Sequence, residues 1–135
     1  MGLAIYDALD DAVSMLGDNW SISAKPIIKK SYDYKAVGFV DARRDVILVY
    51  PKNENIEYFG VDHMSEIDIT IEVRTFMNHD HHNNIVKEIS KIVKDNIRRE
   101  NFVDLMIINS VSGNDSYRNM FKHSLGLRYR KMNPT

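Results

Sequence analysis

Apolar and polar positions recur with two different periods along the 135 residues, and the period assigns the elements. Between Leu3 and Leu16, Ile5, Leu9, Ala12, Val13 and Leu16 fall at helical spacing, while Asp7, Asp10, Asp11 and Ser14 lie mostly on the other side. The early Asp residues suit the positive end of a helix dipole, and Gly17 is a natural stop. Pro26 breaks any helix between Asp18 and Lys35, so that section reads as an extended crossing with one short edge strand. Strands are expected at Val37 to Val40, Asp45 to Tyr50 and Ile56 to Gly60, with Pro51-Lys52-Asn53-Glu54-Asn55 as a hairpin loop between the last two. The continuous apolar run Val46 to Tyr50 predicts a strand covered on both faces.

Glu66 to Phe76 alternates most strictly. Ile67, Ile69, Ile71 and Val73 point one way, and Glu66, Asp68, Thr70, Glu72 and Arg74 the other. A slip of one residue would bury the charges, so the pattern specifies the register. Asn78 to Asp80 then caps a long helix reaching about Glu100, with Ile85, Ile89, Ile92, Val93 and Ile97 as its buried stripe and Lys87, Glu88, Lys91, Lys94, Asp95 and Arg98 in water. Phe102 to Asn109 reads as a strand and Ser110 to Met120 as a polar loop. The last strand, Phe121 to Lys131, alternates Phe121, His123, Leu125, Leu127 and Tyr129 with Lys122, Ser124, Gly126, Arg128 and Arg130. Residues 132–135 read as a flexible tail, with Pro134 ending any pairing.

The order α-β-β-β-β-α-β-β closes most simply as an α+β domain: a mostly antiparallel sheet of about five to six strands with two helices packed on one face. At this length, residues 1–135 are expected to form a single domain, large enough to fold without metal or disulfide. Hydrophobic residues at 44% and charged residues at 27% place the chain among ordinary globular proteins. The absence of Cys excludes a disulfide framework, thiolate zinc sites and a Cys nucleophile. No apolar run approaches ~18 residues and no basic-then-apolar leader opens the chain, so neither a membrane span nor a signal peptide is expected.

The net charge of −1 hides a division: residues 1–85 carry 8 basic and 14 acidic side chains, and the remainder 10 and 5. Such polarity arises when strands of opposite sign pair inside one subunit, or when the acidic face of one copy meets the basic face of the next. A near-neutral whole argues against a dedicated nucleic-acid binder.

Candidate chemistry is sparse. His79-Asp80-His81-His82, with His63 upstream, has the side chains for a divalent metal but not the spacing of a metalloprotease helix, and a solvated helix cap explains it more simply. Asp68-Ile69-Thr70-Ile71-Glu72-Val73-Arg74 echoes metal-dependent nucleases whose strand ends in Glu-x-Lys, with Asp45 or Asp62 as a further carboxylate. Here Arg74 stands in place of the Lys, and a guanidinium cannot trade protons at neutral pH. A Walker loop and a nucleophile elbow are both missing, so no catalytic, cofactor or metal residue is assigned.

The alternating strand Ile69-Thr70-Ile71-Glu72-Val73-Arg74-Thr75 running into a long amphipathic helix, then a strand, a polar loop and the closing strand Leu125-Gly126-Leu127-Arg128-Tyr129-Arg130, together with the short helix in front, resembles the tail-terminator (tail-completion) proteins of long-tailed phages and archaeal tailed viruses. The likeness covers residues 60–132 and the first helix. It implies a structural virion protein of the tail and neck, not an enzyme and without cofactor, assembled in the host cytoplasm. It also implies a ring, commonly a homohexamer, that caps the tail tube protein and joins the head-neck connector protein, with DNA only passing through the lumen and no membrane contact. On that reading Glu66, Asp68, Glu72, Arg74, Lys122, Arg128 and Arg130 supply interface contacts or the lumen. Residues 51–55 and 110–120 face partners, and charge reversal at Arg128 weakens association while sparing the fold. The alternatives are a head-completion or other neck protein, a cytosolic binding domain of the same class, and a metal-dependent nuclease.

Overall fold

The computed structural model describes residues 4–23, 25–30, 45–60, 62–76, 78–115 and 120–133. In chain order they form α1 (Ala4–Asn19), β1 (Ile27–Lys30), β2 (Val46–Phe59), β3 (Asp62–Thr75), α2 (His79–Asp95), β4 (Asp104–Asp115) and β5 (Met120–Asn133). This is the expected α+β architecture, with two helices on one face of a five-stranded sheet ordered β1-β2-β3-β5-β4. Every pairing is antiparallel except β1 with β2. The strand expected over Val37 to Val40 lies outside the described residues.

The strict alternation of β3 does set the register. Ile67, Ile69, Ile71 and Val73 are all fully buried under the helices, and opposite them on β5 lie Tyr129, Leu127, Leu125 and His123. α1 lies over β1, β2 and β3, and α2 over β3, β4 and β5. Ala8, Leu9, Ala12, Met15 and Leu16 of α1 meet Ile85, Ile89, Ile92 and Val93 of α2 in one core with the sheet. Each fully buried aliphatic side chain contributes roughly 1.5–3 kcal/mol relative to exposure. The short edge strand appears as β1: Ile28 joins this core, while Ile27 packs with Val46, Leu48 and Tyr50 on the opposite face, so β2 is apolar on both sides.

Element ends differ from the sequence reading in ways that hydrogen bonding explains. α1 passes through Gly17 because Asn19 Nδ2 closes on Met15 O at 2.9 Å and Lys25 Nζ reaches the Gly17 carbonyl. α2 begins as expected, with the Asn78 side chain accepting from His81 N. It stops at Asp95 rather than Glu100, where Asn96 folds back onto the carbonyls of Val93 and Ile92. Ile97 is therefore outside the buried stripe and half exposed. Glu88, expected in water, is buried: both its oxygens accept from the Ser21 hydroxyl and one also from Ser21 N, so it anchors the chain after α1.

Two expected loops are strand. Pro51 to Asn55 continues β2, with a register shift between Pro51 and Asn53 that absorbs the proline. The hairpin turn lies instead at Gly60, whose φ of 65° suits glycine. Likewise Ser110 to Asp115 extends β4 and pairs as far as Asp115 with Met120, after a register shift between Ile107 and Asn109. At the other end β5 runs to Asn133, so Met132 is ladder rather than tail.

Candidate functional site

The face of the sheet turned away from the helices carries the ionic rows. Glu66, Asp68, Thr70, Glu72 and Arg74 of β3 stand opposite Arg130, Arg128, Gly126, Ser124 and Lys122 of β5. A Cβ at Gly126 would stand 2.5 Å from Asn109 Oδ1 across on β4, so a side chain there would displace that of Asn109. Arg128 donates to both oxygens of Asp68, at 2.8 and 3.1 Å, and approaches Glu66 at 3.3 Å. Arg130 grips Asp104 on β4, holding that carboxyl below its ordinary pKa chiefly through the hydrogen bond. Glu72 is 1% exposed and is held by Arg74 at 2.6 Å and Lys122 at 3.2 Å, with the Tyr50 hydroxyl at 3.4 Å.

All seven residues expected at an interface or lumen thus come together on one face, but paired within a single copy. Four carboxylates (Glu66, Asp68, Glu72, Asp104) match four cations (Arg74, Lys122, Arg128, Arg130) there, while Glu57 and Asp62, farther along the same face, have no ion-pair partner among the described residues. Asp68 and Glu72 are buried, so neither is presented as a free charge to a neighbour. The nuclease geometry is also not assembled: guanidinium groups occupy both carboxylates, Asp45 pairs with His81, and Asp62 stands at the far end of β3.

The histidine cluster is a solvated cap only in part: His79 and Asp80 are exposed at the start of α2, while His82 and His123 form a packed corner behind them. His82 is buried, with Nδ1 2.8 Å from Thr75 Oγ1 and its ring stacked on Phe121 at 5.6 Å. His123 lies between the Ser110 and Ser112 hydroxyls, at 2.6 and 3.0 Å, and 6.2 Å from the His82 ring. His81 Nε2 meets Asp45 Oδ2 at 2.5 Å, and His79 packs edge-on to Phe121. Burial lowers the pKa of His82, and repulsion from His123, His79 and His81 lowers it further, against a smaller opposing pull from Asp45. Burial likewise lowers His123. Among the described residues no group of three or more His, Asp and Glu is arranged to hold a metal ion.

A half-buried polar knot joins the helix layer to the sheet. Asp11 of α1 accepts from Arg99, at 2.8 and 3.0 Å, and from the Tyr129 hydroxyl at 2.9 Å. Burial, followed by the Asp11 charge, pushes the Tyr129 hydroxyl far above its ordinary range, so it stays a donor. Sequence periodicity could not find this knot, because its members lie 88 and 118 residues from Asp11.

No family model matches the sequence, and no curated protein is similar to it. Among solved structures, a chain in the virion of a native gene transfer agent particle superposes with a TM-score of 0.56 at 14% identity, covering 96% of this chain and 92% of that one. The two share a fold. The overlap takes in both helices and the sheet, so the likeness belongs to the whole architecture and not to one hairpin. No helix among the described residues is long and apolar enough to cross a membrane.

Proposed function

We propose that the chain is a structural virion protein that forms a ring, a homohexamer by the family resemblance, capping the tail tube and joining it to the head-neck connector. The observation that carries the reading is the fold shared, over nearly the full length of both chains, with a component of a gene transfer agent virion. The order of strand, helix and closing basic strand supports the tail-terminator position in particular.

The role is mechanical and uses no cofactor. The outer face of the sheet fits the lumen of such a ring. Its central ionic groups are paired and balance in sign, and the further charges Glu57 and Asp62 are acidic, so it offers passing DNA no excess of cations with which to hold phosphates. Buried, guanidinium-bound Asp68 and Glu72 also leave no open carboxylate pair for Mg²⁺, which disfavours the nuclease reading.

The test is assembly with a polymerising tail tube protein, followed by electron microscopy and native mass spectrometry. The expected result is tubes of arrested length with a single ring of this chain at one end, and intact DNA after incubation with Mg²⁺ or Mn²⁺. Binding to the connector but not to the tube would move the chain to a head-completion or other neck position. Tubes that grow unchanged beside a monomeric chain with no affinity for the connector would overturn the reading.

A further inference from the structure

The charged groups divide into those that pair inside the fold and those that do not. The outer sheet face is paired from Glu66 to Arg74 and from Lys122 to Arg130, whereas its distal end and one side of α2 are not paired among the described residues. β1 pairs only with Val46 to Val49, so the distal part of the β2–β3 hairpin continues as an arm with one edge open among the described residues. That arm carries Glu54, Glu57 and Asp62, none of which has an ion-pair partner among the described residues. Glu57 and Asp62 stand on its outer face, whereas Tyr58, 74% exposed, and Ile56, 46% exposed, stand on the helix-side face opposite His63 and Ser65. Its polar atoms Glu54 Oε1 and His63 Nδ1 are buried without a hydrogen-bond partner among the described residues, which costs free energy in an isolated subunit.

The opposite set lies on α2. Lys87, Lys91 and Lys94 follow one another at helical spacing along its exposed side, and Arg98 stands just past its end. From Lys87 to Arg98 the exposed ionic side chains are these four and Asp95, an excess of three positive charges, and no ion pair engages any of them among the described residues. Beside them, in the connection to β4, Ile97 and Val103 are each about half exposed. α2 packs on β3, β4 and β5, away from β2.

We infer that the hairpin arm of one copy seats on the outer side of α2 of a second copy. Glu57 and Asp62, which stand together on one face of the arm, complement the basic side of α2, acid against base. Because the two patches differ, the contact is head-to-tail, the kind that closes into a ring. The inference rests on the ring reading and supplies its subunit contact. It also relocates that contact from the paired ionic rows to the unpaired charges.

The test is charge reversal followed by sedimentation velocity and native mass spectrometry, with far-ultraviolet circular dichroism and a thermal melt to show that each variant folds. Glu57→Lys/Asp62→Lys and Lys91→Glu/Lys94→Glu should each weaken self-association at least tenfold. An equimolar mixture of the two variants should recover it, since each arm then meets a helix of opposite sign. All four substitutions in one chain should recover it as well. Variants that assemble as the wild type does would overturn the arm contact while leaving the ring intact. A wild-type chain that stays monomeric, both at high micromolar concentration and on tail tubes, would overturn the ring and the contact together.

Discussion

His82 and Glu88 share a helix only six residues apart, and both were candidates for the solvated side of α2. The structure buries both, each against one particular partner: Thr75 for the imidazole and Ser21 for the carboxylate. Helical periodicity reports which side of a helix faces the core, but not which polar groups on that side find donors elsewhere in the chain. Burial of His82 and His123 has a consequence for acid stability. Both folded-state pKa values lie below 6.5, so the unfolded chain takes up protons that the folded chain refuses as pH falls through that value. Their contribution is present in full above the unfolded pKa and is lost as pH drops toward the folded values. The urea midpoint should therefore fall between about pH 7.5 and pH 5.5. His82→Gln, compared by slope rather than by absolute stability, should flatten the decline.

At the scale of elements, β3, β5 and both helices were legible because their alternation or periodicity is long and each has a buried side. Ile71 and Ile92 test the joint between the layers. They are 0% and 3% exposed, and replacing either with Ala should cost roughly 2–5 kcal/mol in denaturant unfolding. The misread segments fail for one physical reason. Pro51-Lys52-Asn53-Glu54-Asn55 and Ser112-Gly113-Asn114-Asp115 are made of turn-forming residues, yet β3 and β5 offer paired ladders that run past them. Pairing with a neighbouring strand outweighs local turn preference when a register shift can absorb the proline or the extra residue. The turn then moves to Gly60, where the backbone enters the left-handed region.

At the scale of the whole molecule, net charge and composition excluded much and located nothing. The division into an acidic first part and a basic second part was visible in the sequence. What was not visible was that Asp68 and Glu72 would be matched to Arg128, Arg74 and Lys122 inside the subunit, while the arm and α2 would be left unmatched. Arg128→Glu separates these possibilities. On the expectation drawn from the sequence, it spares the fold and weakens association. With Asp68 buried and both its oxygens held by Arg128, the substitution should instead destabilise the subunit by about 1–3 kcal/mol, read as a lower thermal midpoint of the monomer.

The middle of the sheet joins parts of the chain made far apart in time. The Asp68 to Arg128 pair that bridges its two central strands spans 60 residues. Until β5 has been made, β3 has only its hairpin partner and the seat for α2 is half built. A nascent subunit therefore holds the β2–β3 hairpin long before α2 has a finished platform to rest on. Completion of β5 thereby becomes the step that seats α2 and closes the core between the two layers.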